Sequence, residues 1–340
     1  MLTTFNNTMS QCSNYRPDAK FTQTLIANTT CNAMNISADG STIVYLNTSN
    51  NVFLSTDYGV SFTQKTTITN VTVTGRDLII VSNGGTYIIL YKSTTSSSSN
   101  ALYSNDSGNT WNTIPTLTMR IYSINMSGNG QYMCASGDTS ANLRVSSDYG
   151  VTWVSRSTNT KIQGNAVSEN GQYMVVNMNI DPIANNTTTC YVLYSNDYGA
   201  TFTNKYCQHL TYGRRCIVKN SGAVLLTSLG SPGAIWMSED ELNTFFQPST
   251  NLMSIINSTM QAGIDKENTF ACSDDLNLIY FIKGSNTTNY NFWYSSDKLK
   301  SATSVSKVPN FGAVNGKVYA SSNCKYVMIY TNVLRLYSFA

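Results

Sequence analysis

Apolar residues in this chain come in short, strand-sized runs, each preceded by a polar turn rich in Ser, Gly and Asn. The pattern reads NISADGSTIVYL from Asn35, NVTVTGRDLIIV from Asn70, NMSGNGQYMCAS from Asn125 and AVSENGQYMVVN from Ala166. It continues as VKNSGAVLLTS from Val218, CSDDLNLIYFI from Cys272 and ASSNCKYVMIY from Ala320. The apolar runs are contiguous rather than alternating, as expected of short strands buried on both faces. Aligning the turns puts Gly40, Gly75, Gly130, Gly171, Gly222, Leu276 and Cys324 at equivalent positions.

A second pattern lies between these copies. It reads STDYGVSF from Ser55, SNDSGNTW from Ser104, SSDYGVTW from Ser146 and SNDYGATF from Ser195, with worn copies SEDELNTF from Ser238 and SSDKLKSA from Ser295. Its aspartates are Asp57, Asp106, Asp148, Asp197, Asp240 and Asp297, spaced by 49, 42, 49, 43 and 57 residues. Each residue type has a local job in a hairpin. The carboxylate accepts backbone N–H groups within the turn. The glycine two residues on (Gly59, Gly108, Gly150, Gly199) supplies positive φ. The closing aromatic (Phe62, Trp111, Trp153, Phe202) packs between sheets. A period of this size is that of a propeller blade.

The two counts differ by one, and the chain ends explain why. The last apolar copy runs through VLRLYSFA and stops where its Asp hairpin would begin. Near the start, KFTQTLIANTTC aligns with SFTQKTTITNVT, which closes the first hairpin. The N-terminal stretch can therefore supply the missing outer strand and leave no open edge. The expectation is all-β: a seven-bladed β-propeller of four-stranded antiparallel blades, with residues 1–17 as an arm and 18–340 as one domain. Six blades with an irregular tail is the alternative.

The hairpins resemble the Asp-box (BNR) repeats of the sialidase-like superfamily over most of the chain. The resemblance implies that the Asp hairpins join the two outer strands of a blade, that the Ser/Gly turns join the two inner ones, and that both lie on one face. Function is not implied, because such repeats occur in hydrolases, receptors and non-catalytic surface proteins. Sialidase chemistry would need an arginine triad, a Tyr–Glu pair and an acid. Once hairpin and turn acids are set aside, no such pair and no two-carboxylate pair for glycoside hydrolysis is evident. No catalytic residue, metal ligand or cofactor is assigned.

Composition narrows the partners. Only 11% of residues are charged, against about 25% in an average soluble protein. The net charge of +3 carries no basic run, which argues against nucleic acid. Apolar runs are too short to span a membrane as helices, and the first residues lack a signal-peptide pattern. A neutral surface rich in Asn, Ser, Thr and Tyr suits protein partners, copies of itself in an assembly, or glycans. A virion or extracellular surface is favoured over the cytosol.

Variable loops opposite the regular turns make that second face the expected binding face. The candidates there are Arg120, Asp181, Tyr206, His209, Tyr212, Arg214 and Tyr290. The eight cysteines show no zinc spacing, but Cys190 and Cys207 flank the Asp197 turn symmetrically and could form a disulfide. The expected function is a non-catalytic propeller for binding, adhesion or assembly. The alternative is a sialidase-like lectin or glycoside hydrolase acting at the centre of the variable face.

Overall fold

The computed structural model describes residues 21–27, 31–68, 77–92, 101–114, 117, 119, 121–137, 143–156, 162–178, 190–207, 213–228, 235–248, 270–286, 289–304, 317–330 and 334–339. They form seven antiparallel sheets, each built from strands consecutive in the chain except at the ring closure. The molecule is an all-β, seven-bladed propeller.

Blade 1 comprises Cys31–Ile36, Ile43–Asn47, Asn51–Ser55 and Thr63–Thr67, from the innermost strand outward. Blade 2 comprises Asp77–Val81, Ile88–Lys92, Leu102–Ser104 and Asn112–Thr113. Blades 3 and 4 follow the same order, from Ile121–Met126 to Val154–Arg156 and from Ile162–Val167 to Thr203–Cys207. Blade 5 has three ladder strands, Gly213–Val218, Val224–Ser228 and Ile235–Ser238, and a bridge between Met237 and Phe246 holds the fourth position. Blade 6 runs from Phe270–Cys272 to Thr303–Ser304.

Blade 7 joins the chain ends. Its inner strands are Lys317–Ala320, Tyr326–Tyr330 and Leu334–Phe339, and its outermost strand is Phe21–Ala27. Phe21 stands opposite Phe339 and Leu25 opposite Arg335. The N-terminal strand thus covers the edge that the last strand would expose.

One repeat falls in a different place from the sequence expectation. The second turn was aligned on Gly75, with LIIV as the strand after it. In the structure Asp77–Val81 is the innermost strand of blade 2, so its turn lies later, at Ser82 to Tyr87. Gly85, with φ 76°, occupies the equivalent position. Blade 2 carries two similar apolar strands, LIIV and YIIL, and periodicity alone cannot tell first from second.

The core consists of seven separate apolar clusters, one at each junction between neighbouring blades. This arrangement explains the contiguous apolar runs. In the strand Ile43–Asn47, Val44 and Leu46 face blade 2 while Ile43 and Tyr45 face blade 7. Alternation persists, but both sides are buried. Trp153 is buried between blades 2 and 3. Trp111, Phe62 and Phe202 pack at the junctions of blades 1 and 2, 7 and 1, and 3 and 4. Among the described residues no helix is long and apolar enough to cross a membrane.

Candidate functional site: the hairpin face and its channel mouth

The Asp hairpins share one local geometry. In blade 1 the Val60 N–H donates to the Asp57 carbonyl (3.3 Å), and Tyr58 and Gly59 have φ of 59° and 79°. That is a type I′ turn, whose twist matches that of the flanking strands. The buried Ser55 hydroxyl donates to Asp57 Oδ1 (2.7 Å) and accepts the Gly59 N–H (2.9 Å). Asp57 also accepts the Ser61 N–H (3.0 Å) and hydroxyl (2.6 Å). The same set recurs around Asp106, Asp148, Asp197, Asp240 and Asp297. All six carboxylates are held below the usual range. Asp57 and Asp106 reach about 2, chiefly through the hydroxyls of Ser61 and Thr110.

The inner turns follow a parallel rule. A buried serine begins six of the seven, and in the turns of Ser37, Ser127, Ser168, Ser273 and Ser321 it donates to an Asp or Asn two residues on. Inner turns and Asp hairpins lie on one face, because the hairpins of blades 1, 2, 3, 4 and 6 bond the inner turn of their own blade. The Tyr58 N–H donates to the Ser41 carbonyl, Tyr149 to Gln131 and Tyr198 to Gln172.

Among the described residues this face carries most of the exposed large apolar side chains. Val60 is 84% exposed and Val151 67%, and Tyr58, Tyr149 and Tyr198 are exposed at the hairpin tips. Each tip tyrosine packs its ring against an inner-turn tyrosine of the preceding blade. Tyr58 lies 4.9 Å from Tyr326, Tyr149 4.6 Å from Tyr87, and Tyr198 4.7 Å from Tyr132. In blade 5 the tip residue is Glu241, which raises the pKa of the neighbouring Tyr173 after burial has done so.

At the centre of the face the innermost strands of all seven blades surround a cavity of about 200 Å³. Its rim is stitched by bonds between successive blades. Ser322 N–H donates to the Ala38 carbonyl (2.6 Å), Asn83 N–H to Gly128 (2.6 Å) and Gly128 N–H to Glu169 (2.7 Å). Asp39 N–H reaches the Asn83 side chain, and Asn170 N–H reaches that of Asn220.

Blade 5 breaks the serine rule with Lys219. Its buried ammonium donates to the Cys272 carbonyl (2.6 Å) and lies 3.7 Å from Asp274, tying blade 5 to blade 6. Burial opposes its charge, but the surrounding groups, Asp274 and Glu169 among them, outweigh burial and raise its pKa. Burial, and then the Glu169 and Asp275 carboxylates, push Asp274 up against the pull of Lys219. Sequence reading passed over Lys219, although its place at a serine position of the repeat was a usable signal.

The sequence candidates are dispersed. Arg120, Asp181, His209 and Tyr212 lie outside the described residues. Arg214 and Tyr290 are placed by their backbone, in the innermost strand of blade 5 and in Asn289–Ser295 of blade 6. Tyr290 therefore belongs to a strand, opposite Gly284, and not to a loop. Tyr206 also lies in a strand, the outermost of blade 4, half-exposed and 5.4 Å from Tyr191. Cys190 stands directly opposite Cys207 across that strand pair. Among the described residues no group of three or more His, Cys, Asp or Glu could hold a metal.

No protein-family profile and no curated protein matches the chain in sequence. Solved structures do match in fold. YCF48 bound to D1 peptide is 14% identical with a TM-score of 0.60, over 96% of this chain and 98% of that one. U3-55K is 10% identical with a TM-score of 0.61, over 93% and 98%. The GH74 xyloglucanase from Xanthomonas campestris is 14% identical with a TM-score of 0.54, over 79% of this chain and 45% of that one. At such identities the likeness is one of fold.

Proposed function

We propose that this chain is a non-catalytic propeller of Asp-box (BNR) type that binds protein partners or serves in an assembly, and that its hairpin face makes the contact. The observation that carries the reading is the set of exposed Val60, Val151, Tyr58, Tyr149 and Tyr198 on one face. Solvated apolar side chains repeated at the hairpin tips of blades 1, 3 and 4 give that face apolar contact points for a partner. The hairpin carboxylates of that face are engaged in turn geometry rather than aimed at a substrate. Propellers of similar fold include one bound to a peptide, which is compatible with the same use here. The variable face, with Arg214 and Tyr290, remains the second candidate surface. A virion or cell-surface location fits the low-charge polar composition. The test is recovery of a specific partner from native material with intact protein but not with Val60→Ser/Val151→Ser. Retention of that partner by the variant would exclude this face.

A second reading, glycan binding or hydrolysis, draws on the channel mouth. Glu169 and Asp274 both line the cavity, and a raised carboxyl beside a second carboxylate is what acid catalysis on a glycoside uses. Turnover of aryl glycosides that Asp274→Asn abolishes would establish it and displace the first reading.

A further inference from the structure

The hairpin face has two unlike halves. Blades 1–4 carry the exposed Tyr and Val tips, together with their four hairpin aspartates, Asp39 and Glu169. Among the described residues Lys65, Arg156 and Lys205 belong to that half. Arg156 is engaged with the Gly199 carbonyl (3.0 Å), Lys205 with the Asn243 side chain of blade 5 (2.8 Å), and Lys325 of blade 7 lies over the Tyr326 ring that Tyr58 packs on. Blades 5–7 expose no large apolar side chain on this face among the described residues. Their turns hold Lys219, Lys298, Lys300 and Lys325 beside their acids, and Lys298 is bonded to Glu239.

We propose that the half-face of blades 1–4 docks a cationic segment of a partner protein, with Lys or Arg alternating with apolar side chains. The inference rests on the binding reading above and gives the partner its chemistry. Carboxylates in excess over cations steer a positively charged segment and disfavour an acidic one. The exposed rings of Tyr58, Tyr149 and Tyr198 offer cation–π surfaces beside those carboxylates. Val60 and Val151 supply the apolar contact that a purely electrostatic encounter lacks. The hairpin aspartates stay ionised at neutral pH, since local hydrogen bonds hold them low. A second copy presenting the same half-face would set like charges against each other.

The test uses the intact protein and three labelled peptides, followed by fluorescence anisotropy at low and physiological salt. One peptide alternates Lys with Leu, one alternates Glu with Leu, and one is oligolysine. The Lys–Leu peptide should bind tightest and weaken as salt rises. Val60→Ser/Val151→Ser should loosen it about tenfold, the scale of one lost anchor. Glu169→Gln should weaken it less, and Lys298→Ala/Lys300→Ala should not weaken it. The two valines are solvated, so their substitution should leave the fold intact.

Tighter binding of the Glu–Leu peptide through Val60 and Val151 would overturn the charge assignment while leaving the face as a docking surface. Binding that ignores the valine substitutions, or no binding of any peptide, would overturn the half-face itself. Self-association of the protein, lost in the valine variant and not displaced by the Lys–Leu peptide, would assign the surface to a second copy instead.

Discussion

At the residue scale the glycines of the inner turns follow the residue that overlies them. The inner-turn tyrosine of one blade lies over the inner-turn glycine of the next. A Cβ on Gly171 would stand 2.4 Å from Tyr132 Cδ2, and one on Gly40 2.6 Å from Tyr326 Cδ2. Two of the three turns that lie under a residue other than tyrosine have lost the glycine, while Gly85 is kept under Thr42, whose Cγ2 would stand 3.1 Å from an added Cβ. Blade 5 carries Ala223 and blade 6 Leu278 at that position, and the next blades carry Leu276 and Cys324 in place of glycine. Both keep a positive φ of 56° and 57° and are fully buried. Their burial offsets a backbone cost of about 1–2 kcal/mol. Gly171→Ala should therefore destabilise by at least about 2 kcal/mol, from φ +80° and the clash together. A urea midpoint unchanged from the native chain would refute it.

The hairpin carboxylates make a second residue-scale prediction. The unperturbed aspartate value is 3.8, and those of Asp57 and Asp106 fall to about 2 in the folded state. A folded value below the unfolded one means that the stabilisation is complete above about pH 4 and is lost as pH falls toward about 2. Thermal midpoints should be flat from neutral pH to about 5 and fall steeply below 4. A midpoint that stays flat down to pH 2 would show that the turns do not depend on their charge.

At the element scale the ring depends on a strand remote in sequence from its partner. Phe21–Ala27 pairs with Leu334–Phe339, and Ile26 packs into the cluster between blades 7 and 1. Removing residues 1–27 should cost at least about 3 kcal/mol in lost ladder bonds and apolar contact. It should also leave an exposed edge that promotes aggregation. Calorimetry and light scattering would register both, and a truncated chain as stable and monodisperse as the full one would contradict the closure. In blade 4 the opposition of Cys190 and Cys207 puts their Cα atoms within the reach of a disulfide. Air-oxidised protein should yield a peptide linking them on non-reducing digestion, and free thiols at both positions after oxidation would exclude the bond.

Much of this architecture was legible before any coordinates. Six Ser–x–Asp turns at blade spacing, and the match of Phe21-Thr22-Gln23 to Phe62-Thr63-Gln64, carry both the blade and its closure in local chemistry. Blade 2 was misaligned because LIIV and YIIL are equally apolar, and only the hydrogen bonds of Ser82 to Tyr87 fix the turn. The interaction surface was harder to read. Tyr58 and Tyr326 are the same residue type in similar turns, yet Tyr58 projects at a tip while Tyr326 lies over Gly40. Sequence assigned the regular turns to architecture alone, because each residue in them has a structural job. Having one does not stop a side chain from also facing solvent.

At the scale of the whole molecule the acidic residues concentrate on one face. Twelve of the eighteen acidic residues lie in the turns of the hairpin face. At the other end of the blades the described backbone places Lys92, Arg214, Arg215, Lys283 and Lys317, with Asp77 as the acidic residue there. A modest net charge of +3 therefore conceals a face rich in carboxylates opposite one where the described backbone is mostly basic. The central claim is that the hairpin face is the one engaged in the native setting. Hydroxyl-radical footprinting of the protein in material from its native source, against the purified chain, measures this without knowledge of the partner. The account predicts strong protection of Tyr58, Val60, Tyr149, Val151 and Tyr198 in the native material. Equal labelling of these five in both samples, with protection confined to the opposite face, would contradict it.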